Sequence, residues 1–335
     1  MLFLGCDSGA TKAAFIVSDE SGRVLAVRSF PGVSIVSDGV GGYRESMREY
    51  AREVLRDAGV RAQDVACAAF GLTGYGETRT AVSDMQETFQ AALPGVPCIL
   101  VNDSVTGWCG ALRGQTGICI ASGTGSVAYG EDADGNGMRA GGWSIRFADE
   151  GSAYWIAAQA IRAFFHQADG RMEKTPLYDR FLALFDVQDP LHACGEVETL
   201  TEGGRYSRVA RLQREVLALY NMGDPCARGI YEEAAGHLCD LAAAIKRGLN
   251  FSPDERVRVT YTGGLFKAGA CILDPLRERV EAMGDVLVAP AFGPLSGAVG
   301  YAARGHVTAE ALERLMGEAD RCAQTLENAS TNRQV

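Results

Sequence analysis

Two short glycine turns hold the residues best suited to bind phosphate. The stretch Asp7-Ser8-Gly9-Ala10-Thr11-Lys12 puts an acid at the end of an apolar run and follows it with a glycine and a hydroxyl. Backbone amides freed by such a turn can face an anion, and a carboxylate can hold a divalent cation through water, so Asp7, Gly9, Thr11 and Lys12 suit a phosphate with its magnesium. A plain surface hairpin with Lys12 solvated accounts for the same letters. Ser122-Gly123-Thr124-Gly125-Ser126 is the second turn, with hydroxyls beside its amides and glycines that let phosphate oxygens approach closely. Two such turns at equivalent places are stronger evidence than one, because facing turns can clamp a polyphosphate between domains.

A proton acceptor and a sugar-sized pocket have candidates as well. Asn102-Asp103 closes an apolar strand, the end of a parallel-type sheet where ligands gather. Asp103 can take the proton of an attacking alcohol in phosphoryl transfer, or it can cap the helix that follows. Gly141-Gly142-Trp143 and Asp149-Glu150-Gly151-Ser152 bracket a loop with one flat apolar face and two acceptors, the combination a pyranose requires. A core tryptophan beside an acidic first helical turn is the competing reading. Thr262-Gly263-Gly264 leaves bare backbone at a strand end, where a base or ribose could rest, although a plain turn explains it too.

Other chemistries lack their residues. The four histidines are scattered, and no Gly-x-Ser-x-Gly elbow or Walker loop occurs. The ten cysteines never come close enough in sequence for zinc or iron-sulfur spacing, and they read as small buried hydrophobes of a reducing compartment.

The elements that must position these residues follow from pattern. Apolar runs on either side of Gly9, with an acidic turn at Gly22, predict a three-stranded antiparallel meander. The same sequence of features recurs around Gly123, with its acidic turn at Gly135, and the two copies keep register. Between them, helices over 43–58, 82–92 and 105–112 alternate with strands over 65–70 and 97–101. The second copy continues with helices over 154–165, 209–220, 226–249 and 294–303 and strands over 257–261 and 286–288. The expectation is an α/β chain of two duplicated lobes, each a mixed five-stranded sheet flanked by helices, with an interlobe cleft. Lobes over 1–113 and 114–320 and a tail over 321–335, polar and frayed beyond Glu327, are predicted.

Composition narrows the partners. With 335 residues the chain is long enough for two cores. Its 32 basic against 42 acidic residues give a net charge of −10, without a basic run, so neither nucleic acid nor an anionic membrane surface is an expected partner. No stretch approaches the roughly 20 apolar residues of a membrane span. Met1-Leu2-Phe3-Leu4-Gly5 runs into Asp7 with no basic flank, which points to the cytoplasm.

Together these motifs resemble the actin, sugar kinase and heat-shock-chaperone superfamily, and within it the N-acetylglucosamine kinase branch of the BadF/BadG/BcrA/BcrD ATPase family. The likeness runs from about Leu2 to Ala303 and is densest from Gly141-Gly142-Trp143 through Asp149-Glu150-Gly151-Ser152-Ala153-Tyr154-Trp155-Ile156. It implies magnesium-ATP as cofactor, a small sugar as substrate and a homodimer. By motif, Asp7, Gly9 and Thr11 belong to the first phosphate site, with Asp7 on magnesium through water, and Gly123, Thr124 and Gly125 to the second. Asp103 becomes the general base. Gly142, Trp143, Ser144 and Asp149 hold the sugar with Ser126 nearby, and Gly263, Gly264 and Ala268 border the adenosine.

Departures from the pattern bear on the acceptor. The segment Gly32-Val33-Ser34-Ile35-Val36-Ser37 lacks the asparagine that family members use to touch the sugar. The loop after Trp143 reads Ser144-Ile145-Arg146-Phe147-Ala148, where the family is smaller and glycine-rich, and Arg146 points either to an altered or anionic acceptor or to solvent. Two other functions stay open. A partner-coupled ATPase, as in dehydratase activators of this fold, needs a cysteine-ligated iron-sulfur cluster, and only Cys119 lies near the second turn. A non-catalytic sugar sensor would bind sugar indifferently to ATP.

Overall fold

The computed structural model describes residues 1–9, 12–77, 79–252 and 254–331, so Thr11 of the first turn lies outside the described residues. Its chain divides into two compact units, Met1–Cys119 with Ala289–Val335, and Ile120–Val288. The first opens with β1 (Leu2–Ser8), β2 (Lys12–Asp19) and β3 (Val24–Pro31), then α1 (Ile35–Ala58), β4 (Val65–Leu72), α2 (Arg79–Ala92), β5 (Cys98–Asn102) and α3 (Asp103–Ala111). The sheet order is β3-β2-β1-β4-β5, with β2 antiparallel to both neighbours and β4 parallel to both of its own. Central β1 and β4 are almost continuously apolar because both of their faces are covered. Phe15, Met47, Val54, Phe70 and Phe89 close the core between the sheet and α1 and α2. The parallel register ends β1, β4 and β5 on one edge, at Ser8, Leu72 and Asn102.

The second unit repeats the plan. It holds β6 (Gly117–Ser122), β7 (Ser126–Glu131), β8 (Gly137–Gly141), α4 (Ala153–Ala168), α5 (Pro176–Phe185), α6 (Ala193–Thr201), α7 (Tyr206–Arg211), α8 (Gln213–Asn221), α9 (Pro225–Gly248), β9 (Arg258–Thr262), α10 (Ala270–Ala282) and β10 (Val286–Leu287). The order β10-β9-β6-β7-β8 matches the first sheet strand for strand. Two mixed five-stranded sheets flanked by helices are thus what the duplicated sequence pattern leads one to expect. The region read as one helix over 209–220 is two, α7 and α8, and α5, α6 and α10 went unread. Phe164 of α4 packs with Phe181 and Phe185 of α5, an aromatic cluster that fixes this helical insertion.

The last stretch returns to the first unit through α11 (Pro294–Ala303) and α12 (Ala309–Thr331). This differs from a division at residue 113 that assigns everything to residue 320 to the second lobe. The physical reason is close backbone packing: a β-carbon on Gly297 of α11 has no room against Thr106 and Gly110 of α3, and one on Gly5 of β1 would lie 2.8 Å from Val299. The segment read as a tail is helical through Thr331, with residues 332–335 outside the described residues.

Candidate active site

The carboxyl edge of the first sheet holds Asp7, Gly9, Thr73 and Asp103. Gly9 accepts the hairpin: its amide donates to the Lys12 carbonyl at 2.9 Å. Asp103 is the first residue of α3, but it is not the cap. Asn102 has extended backbone and accepts from the Ser104 amide at 3.1 Å and the Ser104 hydroxyl at 2.7 Å. The Asp103 carboxylate accepts instead from the Thr73 hydroxyl at 2.6 Å. Thr73 is tied to β1 by its amide, which donates to the Ser8 carbonyl at 3.0 Å, and its hydroxyl oxygen lies within 3.5 Å of where a Gly9 β-carbon would be. The cap of α3 at this position is therefore Asn102.

In the second unit, the phosphate-type turn and the sugar-type loop are stapled together. The Ala153 amide donates to the Gly123 carbonyl at 2.9 Å, the Ser126 hydroxyl to the Glu150 carbonyl at 2.8 Å, and the Ser122 hydroxyl to the Gly151 carbonyl at 3.3 Å. Ser152 caps α4 by accepting from the Trp155 amide at 3.1 Å. The hydroxyl of Ser126 thus serves the loop backbone, and Ser126 is buried. Gly264 lies beside Gly123, its amide 4.0 Å from a β-carbon built there, so two side-chain-free turns adjoin. Gly263 makes this approach possible: at φ +104° its backbone presses on Ser122, and a β-carbon would fall 2.8 Å from the Ser122 carbonyl carbon. Gly264 to Ala268 then forms a 3-10 turn leading to α10, with Ala268 half-buried and Thr124 exposed at the tip of its own turn.

Asp149 sits in left-handed backbone at φ +58° and reaches Gly125, where a β-carbon would lie 3.3 Å from the carboxyl carbon. Burial pushes its carboxyl above the ordinary range, while the Ser144 and Ser126 amides and the Arg139 charge pull it back only in part. Its Oδ1 is buried and has no hydrogen-bond partner among the described residues. An unpartnered buried carboxylate oxygen is costly unless a ligand donates to it. Gly142 donates its amide to the Ser126 carbonyl at 2.9 Å, and Ser144 accepts the Arg146 amide at 3.2 Å. Trp143 is no core residue, because 83% of it is exposed on the same loop as Asp149, with Phe147 at 86%. The loop therefore offers an aromatic face and a waiting acceptor.

Three participants escaped sequence reading. Thr73 is one hydroxyl among many in a loop, legible only once β4 is placed beside β1. Arg139 on β8 donates its guanidinium to the Gly142 carbonyl, and Tyr206 bonds Arg146 from 60 positions away. The cysteines behave as expected: six are buried, and burial pushes the Cys119 thiol up to about 12. No group of three or more metal-type side chains forms among the described residues.

A model of the BadF/BadG/BcrA/BcrD ATPase family matches residues 4–302. The chain is 28% identical over 278 residues to an N-acetylmuramic acid/N-acetylglucosamine kinase of Clostridium acetobutylicum, covering 82% of this chain and 89% of that one. It is 22% identical over 290 residues to an N-acetyl-D-glucosamine kinase of Dictyostelium discoideum, covering 83% and 90%. A crystal structure of a candidate N-acetylglucosamine kinase from Chromobacterium violaceum superposes with a TM-score of 0.67 at 28% identity, covering 89% of this chain and 97% of that one.

Proposed function

The chain belongs to the BadF/BadG/BcrA/BcrD ATPase family, and from that premise we propose that it transfers the γ-phosphoryl group of ATP to a hydroxyl of an amino sugar, N-acetylglucosamine or a close relative. The observation that carries the sugar reading is Asp149, whose buried Oδ1 has no donor among the described residues, on the same loop as an exposed Trp143. A pyranose supplies what both need, hydroxyl donors and an apolar ring face. The relatives named above act, by their names, on such sugars.

Each remaining residue has a role in that reaction. The acceptor hydroxyl attacks the γ-phosphorus, a P–O bond to the sugar forms, the bond to the β-bridging oxygen breaks, and ADP leaves. Asp103 takes the hydroxyl proton, with Thr73 fixing which carboxylate oxygen is turned to it. Gly9, Thr11 and Lys12 of the first unit and Gly123, Thr124 and Gly125 of the second are assigned to the phosphates, and Gly263, Gly264 and Ala268 to the adenosine. Magnesium fits here as an ion brought with the nucleotide rather than caged by protein: the strand-end donors are hard oxygens of Asp7, and no three-carboxylate cage forms among the described residues. Bound through Asp7, it would neutralise charge on the phosphates.

The homodimer and the cytoplasmic setting belong to the same proposal; among the described residues no helix is long and apolar enough to cross a membrane. The net charge of −10 argues against nucleic acid as a partner. For a partner-coupled ATPase, Cys119 would have to act as a thiolate, and burial opposes that.

The test is ADP release with magnesium-ATP across hexosamines, N-acetylhexosamines and neutral hexoses. Turnover on an amino sugar should fall by about 10²–10⁴-fold in Asp103→Asn, with ATP affinity kept. Slow hydrolysis indifferent to every sugar would overturn the kinase reading, and full turnover by the variant would overturn the base assignment.

A further inference from the structure

Close to Asp149 the second unit keeps a cation that does not pair with it. Arg139 of β8 donates a terminal N–H to the carbonyl of Gly142, the residue before Trp143. Gly142 stands at φ +67°, and its amide donates to the Ser126 carbonyl at 2.9 Å, so both of its backbone polar groups are held. Gly125, next to Ser126, is where the Asp149 carboxylate closes in, its carboxyl carbon 3.3 Å from a β-carbon built there. The Arg139 Nε is buried without an acceptor, and among the described residues no carboxylate lies within ion-pair distance of this guanidinium. Its charge still reaches Asp149, where it opposes burial and the adjacent Glu150, both of which disfavour the carboxylate. Other ionisable groups nearby are engaged elsewhere. Tyr129 of β7, cross-strand from Arg139, donates to Glu131 at 3.1 Å. On α9, which meets Gly151 through Ala234 and Leu238, Glu233 and His237 lie 3.7 Å from each other. Arg146 donates to the Tyr206 hydroxyl, and Tyr154 of α4 meets the ring of Tyr206 edge-on.

An arginine can serve a carboxylate in two ways, and the geometry separates them. A direct ion pair would fill the carboxylate oxygens with guanidinium donors and leave no acceptor for a ligand. Fastened to the Gly142 carbonyl instead, the guanidinium favours the charged form through a half-buried, low-dielectric gap while Oδ1 of Asp149 stays open. The same bond sets the turn from which Trp143 projects. We propose that Arg139 is a positioning residue of the sugar site: clamped on Gly142, it fixes the turn into Trp143 and keeps Asp149 a charged, unoccupied acceptor for a sugar hydroxyl. This deepens the amino-sugar reading above and rests on it.

The test is calorimetric binding of N-acetylglucosamine to the whole protein from about pH 4 to pH 8. Affinity should fall as pH drops through the Asp149 value, and removing a nearby cation raises that value. In Arg139→Gln the midpoint should therefore move up by roughly 0.5–1 pH unit, and affinity at neutral pH should fall about tenfold with the lost clamp. Arg139→Met, a second neutral variant that keeps an apolar stem, should move the midpoint the same way, and Arg139→Lys should hold it near that of the parent. A merely structural arginine would weaken binding equally at every pH. An unmoved midpoint in the neutral variants overturns the proposal, as does a lysine variant that shifts as far as they do. If no sugar binds at any pH, the amino-sugar reading fails, and a carbon-13 NMR titration of the Asp149 carboxyl in the sugar-free protein decides the charge role of Arg139 separately. A value higher in Arg139→Gln than in the parent and Arg139→Lys supports that role, and equal values overturn it.

Discussion

At the scale of single residues, Asp149 shows function set against stability. Burial holds its carboxyl above the ordinary range of about 3.9. A carboxyl with a raised folded-state pKa binds its proton more tightly when folded. Its contribution to folding is therefore full below the unfolded value and is lost as pH climbs through the raised one. Asp149→Asn removes that loss. Its melting temperature should match the parent near pH 4 and exceed it at neutral pH, while sugar affinity falls; a variant less stable than the parent at pH 7 would contradict the sign. Thr73→Val removes the hydrogen bond from the Thr73 hydroxyl to the Asp103 carboxylate and should lower kcat by about tenfold, with the KM of ATP little changed, as steady-state kinetics would read. The acid Asp103 and the acceptor Asp149 were legible as residue types at strand and loop ends. Their partners were not: Asn102 and Asp103 are equally able to cap a helix, and only the extended backbone of Asn102 decides between them.

Among elements, the turns are where sequence spoke most clearly. Gly263 stands where its backbone presses on that of Ser122, Gly125 where the Asp149 carboxylate closes in, and the paired meanders around Gly9 and Gly123 share one strand order. Gly263→Ala is expected to disturb both strain and contact, because φ +104° disfavours a side chain and Ser122 fills the space. Nucleotide affinity should drop with it, and an ADP titration that matches the parent would show the turn to be slack. Ser152→Ala removes the α4 cap and should cost about 1 kcal/mol of stability in a denaturant series. The short helices α5 to α8 were least legible, since their apolar faces match an aromatic cluster assembled by tertiary packing and no single period runs through them.

For the whole molecule, the return of α11 and α12 to the first sheet was hidden from a linear reading, because a helix at 294–303 can be recognised without revealing which sheet it covers. The evidence lay in small residues: Gly5, Gly110 and Gly297 are unremarkable as letters and become intelligible only as close backbone contacts. Phe70, wholly buried against Phe15 and Phe89, anchors the same core, and Phe70→Ala should lower the unfolding free energy by roughly 3–5 kcal/mol in urea. The staple between the second phosphate turn and the loop over 149–153 leads in another direction. Three hydrogen bonds make the two segments share one set of positions, so whatever a nucleotide gains by ordering the turn is already gained when a sugar arrives. Such a cycle must close: if sugar tightens a non-hydrolysable ATP analogue by some factor, typically about 5- to 150-fold, the analogue tightens sugar by the same factor. The protein would then idle with little affinity for either substrate alone and commit when both are present, which spares ATP from water in a cell that has run out of acceptor.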